Sequence, residues 1–287
     1  MKRIISLAIG LVLTVTVFAQ TTEAEAVLKT ELKAEHTGWK TGGVVNVNFS
    51  QAAFSTAWPS GGTNSMALNG LVSIFANFSD GENIWDNNLD LGYGFSQVGS
   101  DDAVKSEDKI DLTSKYGRKA FQDWYYAALF NFKSQMTPTE IAGVKTSEFL
   151  SPGAALFAVG MDYKPNARLT AFISPITYKA DMIMNDDFIA NDLNGDPLRD
   201  NIESQIGGYL RVVYKQPLME NINFESKLEA FSNYEEDPQN MYITWDNLLT
   251  MKVNDYVNAN ISFNMINQPG MEVVYKEVLG IGLSYKF

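Results

Sequence analysis

The chain has no cysteine and a single histidine among its 287 residues. The first absence removes any disulfide frame and any lipid-anchored amino-terminal cysteine. Together the two disfavour a zinc site, which draws on Cys and His. A Ser-His-carboxylate hydrolase needs an imidazole fixed beside a serine, and the sole candidate, His36, stands ahead of the first segment with strand character. Positive charge is scarce as well: 22 Lys and Arg face 34 Asp and Glu, a formal charge of −12. Nucleic acid, which requires a basic footprint, is therefore not an expected partner. Beyond the first twenty residues no run of about 18 apolar residues occurs, which excludes a membrane-crossing helix and leaves a membrane-crossing strand barrel open.

The opening MKRIISLAIGLVLTVTVFAQ is the exception, with Lys2 and Arg3 before an apolar run and Val17-Phe18-Ala19 before Gln20. This predicts a secretory signal peptide at 1–19, cut after Ala19. Losing Lys2 and Arg3 would take the charge from −12 to about −14. Residues 20–38, with AEAVLKTELKAEH, read as a short helical or disordered lead-in. No Pro/Gly/Ser linker divides the remainder of the chain, so 39–287 is expected to be one unit.

That unit alternates with period two. INFESKLEA places Ile222, Phe224, Leu228 and Ala230 opposite Asn223, Glu225, Lys227 and Glu229. VNANISFNM sets Val257, Ala259, Ile261, Phe263 and Met265 against Asn258, Asn260, Ser262 and Asn264. VLGIGLSYKF sets Leu279, Ile281, Leu283, Tyr285 and Phe287 against Gly280, Gly282, Ser284 and Lys286. Two such faces require an apolar medium on one side and a polar one on the other. The reading is all-β: an antiparallel up-and-down transmembrane barrel of about twelve strands. Their centres are expected near Val47, Val72, Leu91, Leu112, Leu129, Val159, Phe172, Leu210, Leu228, Leu248, Ile261 and Leu283.

Connections sort by length. Odd ones are mostly long, such as STAWPSGGTN, QVGSDDAVKSED, Met136 to Gly153 and Lys179 to Asn201; even ones are mostly short, such as SDGEN, RKAFQD, KPNA and QPLMEN. Long outer loops and short periplasmic turns are a property of outer-membrane barrels. This predicts the outer membrane of a Gram-negative bacterium, with both termini periplasmic. Membrane lipid and the barrel-assembly machinery are the expected partners, and Tyr285 and Phe287 the expected assembly signal. Trp85, Trp124, Tyr126, Tyr214, Tyr234, Tyr256 and Tyr285 lie near strand ends, where interfacial aromatics sit. The last strand is expected to close the sheet on the first, near Val44 to Phe54.

Several pieces carry a family resemblance: W-x-x-G-G at Trp39, Gly42 and Gly43, NFSQ from Asn48, Trp58 with Gly61 and Gly62, LDLGYG from Leu89 and KSEDKI from Lys105. WYYAALFNFKSQ from Trp124, FLSPG from Phe149, VGMDYKP from Val159, ISPITYK from Ile173 and FSNY from Phe231 extend it. In these pieces the chain resembles an uncharacterised Bacteroidetes family of outer-membrane barrels, a domain of unknown function. The resemblance implies a barrel and brings no activity with it.

Candidate chemistry is thin. No catalytic residue or cofactor is assigned. Carboxylate pairs at Asp101-Asp102, Asp186-Asp187 and Glu235-Glu236-Asp237 all fall in expected loops, where glycosidase geometry is not fixed. DLNGDPLRDNIE places Asp192, Asn194, Asp196, Asp200 and Glu203 at positions 1, 3, 5, 9 and 12 of a calcium-loop pattern. Pro197 replaces the turn glycine, and a plain acidic loop is the competing reading. The expected lumen-lining residues are Asp86, Asp90, Lys109, Asp111, Lys115, Arg211, Glu225, Lys227, Glu229, Asp246 and Lys252. Their mixed signs favour cross-strand pairs over a one-sign filter, so they either brace a narrow bore or guide a solute through it. The functional readings are a narrow channel, transporter or binding barrel for a small solute or surface partner, and an interaction barrel working through its long loops. An enzyme and a soluble lipocalin-like binder, with its apolar face turned inward, rank below them.

Overall fold

Alternating residues rich in Val, Ile, Phe and Tyr favour extended backbone, and a strand whose two faces differ so much must keep them in different media. The computed structural model describes residues 37–53, 63–141, 144–189, 199–254 and 257–287. Its barrel strands are β1 (Gly38–Ala52), β2 (Ser65–Ser79), β3 (Asn83–Val98), β4 (Val104–Phe121) and β5 (Trp124–Ser134), then β8 (Gly153–Asn166) and β9 (Leu169–Met182). They continue with β10 (Ile202–Met219), β11 (Ile222–Asn233), β12 (Tyr242–Lys252), β13 (Val257–Asn267) and β14 (Val274–Lys286). A small hairpin, β6 (Thr139–Ile141) and β7 (Val144–Ser147), rides on the β5–β8 connection.

The twelve long strands form one closed antiparallel barrel in chain order. Each expected strand centre falls inside one of them. β14 returns to β1 with Val44 opposite Lys286 and Asn48 opposite Gly282, and Gly43 and Phe287 exchange backbone hydrogen bonds beyond that register. The signal peptide, His36 and most of the lead-in lie outside the described residues.

Connections at one rim span 53–64, 99–103, 135–152, 183–201, 234–241 and 268–273; at the other they span 80–82, 122–123, 167–168, 220–221 and 253–256. The shortest of the first group is longer than the longest of the second. Gly38 and Phe287 share the short-turn rim. Several expected connections were drawn too long, RKAFQD and KPNA among them, since β4 runs to Phe121 and β8 to Asn166. KSED belongs to β4, and β10 runs through Pro217 to Met219 with a register shift there, because the ladder absorbs one proline through a bulge.

The apolar faces point outward. Val45, Val47, Phe49, Ile74, Phe157, Ile173, Leu279 and Ile281 are exposed, Leu279 at 71%. At the short-turn rim, outward rings cluster: Trp39 packs 5.4 Å from Phe78 and 5.7 Å from Trp85, and Trp124 packs 4.7 Å from Tyr163. Asn, Asp, Lys and Glu point inward. This arrangement is the reverse of a lipocalin, whose apolar lining faces its ligand.

Candidate functional site

The bore is where charged side chains converge. Every barrel strand turns a buried residue inward at mid-height, among them Asn46, Ser73, Asp90, Leu129, Phe172, Lys227, Leu248, Asn260 and Gly282. Asp90 and Asp162 are 0% exposed. A water-filled passage would leave such residues wet, so the centre of the barrel is packed with side chains.

Two ionic layers do the filling. In the layer nearer the long-loop rim, Glu229 on β11 accepts from Tyr209 Oη at 2.8 Å. The same carboxylate pairs with Arg211 at 3.3 Å, Lys133 at 3.4 Å and Lys227 at 3.8 Å. Lys133 belongs to β5, which is separated from β11 by β8, β9 and β10, so the Lys133–Glu229 pair crosses the bore. Lys133 also lies 4.0 Å from Asp111, which Lys109 approaches at 3.8 Å. Asp90 accepts from Ser73 Oγ and, at 2.7 Å, from Asn88 Nδ2.

Nearer the short turns, Asp162 on β8 pairs with Lys115 on β4 at 2.7 Å and with Lys164 at 3.8 Å. Lys164 reaches Asp86 on β3 at 2.7 Å. Thr170 Oγ1 donates to Asp162 at 2.9 Å. Opposite charges buried at this density hold each other because separating them would strand an ion in a dry interior.

Of the expected lumen residues, Asp86, Asp90, Lys109, Asp111, Lys115, Arg211, Glu225, Lys227, Glu229 and Asp246 all point inward. Glu225 pairs with Lys215 at 3.2 Å and Asp246 accepts from Asn264 at 3.0 Å. Lys252 is exposed at the short-turn rim. Lys133, Asp162, Lys164, Lys179 and Asp181 join the network without having been picked from the sequence. The signal was present, since Lys133 alternates with the outward Phe130 and Phe132, and Asp162 and Lys164 alternate with Val159, Met161 and Tyr163.

Above the Glu229 layer a vestibule opens to solvent at the long-loop rim. Leu156, Phe231, Tyr242 and Ile266 wall it, and Lys133, Glu229 and Asn131 lie at its base. Lys179 Nζ stands 4.4 Å above the Tyr242 ring and 5.7 Å from the Phe231 ring, and it also pairs with Asp181. A cation over an aromatic shelf beside apolar walls can hold a ligand with both a flat apolar part and polar groups.

Of the calcium pattern, Asp192, Asn194 and Asp196 lie outside the described residues. Asp200 is exposed, and Glu203 pairs with Arg199 at 3.2 Å, so a calcium ion at Glu203 would have to displace that guanidinium. Among the described residues no group of three or more potential ligands is clustered for a metal.

A closed antiparallel sheet of even strand number, apolar outside and charged within, with aromatic residues at its rims and loops unequal in length at its two ends, defines a membrane β-barrel of the outer-membrane type. Residues 49–139, which run from β1 to the start of β6, match a family model described as "Protein of unknown function (DUF3078)". No curated protein matches the sequence. Among solved structures, the chain is similar to the translocator domain of the autotransporter NalP from Neisseria meningitidis, with 14% identity and a TM-score of 0.41 over 95% of this chain and 100% of that one. It is also similar to the COG4313 outer membrane channel from Pseudomonas putida F1, with 11% identity and a TM-score of 0.44 over 90% and 97% of the two chains. The NanC porin gives 11% identity and a TM-score of 0.42 over 86% and 100%. The class assigned to this chain rests on its own closed sheet and surfaces.

Proposed function

We propose that this protein is an outer-membrane barrel of a Gram-negative bacterium that does not pass solutes along its axis and uses its long-loop mouth to bind a small solute or a surface partner. The observation that carries the reading is the Lys133–Glu229 pair across the bore, 3.4 Å long and backed by Arg211 and Lys227. Selectivity filters expose one sign of charge to a wet path; here both signs are buried against each other. Periplasmic termini and outward-facing long loops complete the proposal, with membrane lipid and the barrel-assembly machinery as the partners of folding.

Planar-bilayer recording of the purified barrel tests it. Silence of the wild type, with steps appearing in Lys133→Met/Glu229→Gln, is the expected result. Steady ohmic conductance of the wild type would overturn it in favour of a narrow channel.

A further inference from the structure

Every seam of the barrel but one is zipped along its length. Neighbouring strands elsewhere pair over ten or more residues, as β12 and β13 do from Ile243↔Asn267 to Lys252↔Asn258. Between β1 and β14, among the described residues, pairing runs only from Val44↔Lys286 to Asn48↔Gly282. Both strands continue toward the long-loop rim: β1 to Ala52, still paired with β2, and β14 back to Val274, still paired with β13. Continued register would place Phe49 opposite Ile281, Ser50 opposite Gly280 and Gln51 opposite Leu279, and these pairs are not made.

The side chains confirm a gap. Ser50 points inward yet is exposed, whereas the inward Asn46 and Asn48 of the paired segment below it are buried. Unpaired backbone inside hydrocarbon is costly enough that membrane barrels close their edges. An opening in the wall therefore needs something that tolerates polar groups on one side and lipid on the other.

The lips of this gap have that character. Their outer edges are Phe49, Leu279 and Ile281, with Val47, paired to Leu283, just below. Just inside lie the amides of Asn46, Asn48 and Asn260. Asn46 is 1% exposed, with neither side-chain polar atom hydrogen-bonded. Glycines at 280 and 282 put no side chain in the way.

We infer that the upper β1–β14 seam is a lateral portal that takes a single-chain amphiphile, its hydrogen-bond-donating head against the Asn amides and its acyl chain passing between Phe49 and Ile281 into the membrane. The axial plug and the portal are complementary, since a barrel blocked along its axis can still exchange molecules with lipid through its wall. The portal does not depend on the vestibule or on the absence of conductance, because it is read from the β1–β14 pairing and the residues beside it.

The test uses the full mature barrel in phospholipid nanodiscs with lysophosphatidylethanolamine carrying a diazirine in its acyl chain. After photolysis, peptide mapping is expected to find adducts on 47–52 and 275–283 at least about fivefold above the outward positions of β11 to β13, an occupancy ratio equal to about 1 kcal/mol of preference. The chain lacks cysteine, so Phe49→Cys/Ile281→Cys forms a lock across the gap, while Val47→Cys/Leu283→Cys bridges a pair already in register. The first lock, closed with oxidant, is expected to bring seam labelling down to the level elsewhere, with recovery on reduction; the second is expected to leave it unchanged. Uniform labelling around the belt would overturn the portal. So would disulfide formation at 49/281 as fast as at 47/283, which would mean a zipped seam, or dominant intermolecular dimers of either single cysteine, which would mean that a second copy covers the edge.

Discussion

The Phe287 ring lies against the Cα of Gly43, and the two residues exchange backbone hydrogen bonds of 2.9 and 3.0 Å across the closing seam. A Cβ added at Gly43 would collide with the edge of the ring, so the glycine is needed for close approach and the aromatic ring covers the last pair of the seam. Gly43→Val is expected to cost about 1–3 kcal/mol by overpacking and to lower the heat-modifiable folded fraction on gels. Because a ring can be removed where backbone cannot, Gly43→Val/Phe287→Ala is expected to recover part of that fraction. Equal loss in the single and double variants would show that the contact is incidental to closure.

Glu229 tests the plug energetically. Replacing it with Gln leaves Lys133, Arg211 and Lys227 facing one another without the carboxylate that now holds all three. Breaking a buried ion cluster from one side costs about 3–5 kcal/mol. The urea midpoint of folding into vesicles should fall accordingly, and Lys133→Met/Glu229→Gln should fall by less than Glu229→Gln. Additive losses in the double variant would mean that the two side chains do not act as a pair.

All twelve barrel strands were legible from the sequence because each must sort its side chains between lipid and a polar interior, and that requirement writes a period of two into every segment. Which face points inward was not legible from alternation alone; the loop lengths and the aromatic end of the last strand decided it. Strand ends were misplaced where polar residues continue a ladder, as KSED does in β4. The hairpin of β6 and β7 was missed because Thr139–Ser147 is too short to show a period. Partners across the bore were least legible. Lys133 and Glu229 are 96 positions apart and meet only because strand count and stagger fix the barrel's width.

Glu148 links two of the long loops. It accepts from Lys145 Nζ at 2.8 Å and from Asn185 Nδ2 at 2.6 Å, so the 135–152 connection is tied to 183–201. The hydrogen bond from Lys145, followed by that from Asn185, holds its carboxyl below the ordinary 4.5. The same bond to Glu148 holds the Lys145 ammonium above 10.5. A depressed carboxyl contributes above its unfolded value and loses that contribution as pH falls through the folded one; a raised ammonium contributes below its unfolded value and loses it as pH rises through the folded one. The tie is thus complete between about pH 4.5 and 10.5 and loosens outside that window. Spin labels at Val144→Cys and Met184→Cys, both exposed positions, should give a narrow distance distribution at pH 7 that broadens on acidification toward pH 3. In Glu148→Gln the distribution should be broad at both, and a wild-type distribution indifferent to pH would remove the tie.

Gly160 and Gly207 flank a bulge in β9 that decides the register of three strands. The ladder shifts between Val159 and Met161 on one side of β9 and between Gly207 and Tyr209 on the other, with Pro175 at the irregular point. Proline has no N–H to give a ladder, so a strand that contains one needs a bulge. Ser174 Oγ donates at 2.8 Å to the Val159 carbonyl and lies 2.7 Å from that of Ile176, and Tyr234 Oη donates at 3.1 Å to that of Pro175. A Cβ at Gly160 would collide with the Ile173 carbonyl and the Ser174 Cα, and one at Gly207 with the Ser232 carbonyl. Backbone atoms held in a ladder cannot swing aside as the Phe287 ring can. Gly160→Ala is therefore expected to cost about 3 kcal/mol, at the upper end of overpacking, and more than the same substitution at Gly43. Pro175→Ala, which leaves the bulge its space, should cost well under that. Folding midpoints of the three variants in urea check the order, and a Gly160→Ala midpoint no lower than that of Gly43→Ala would show that the bulge yields to a side chain.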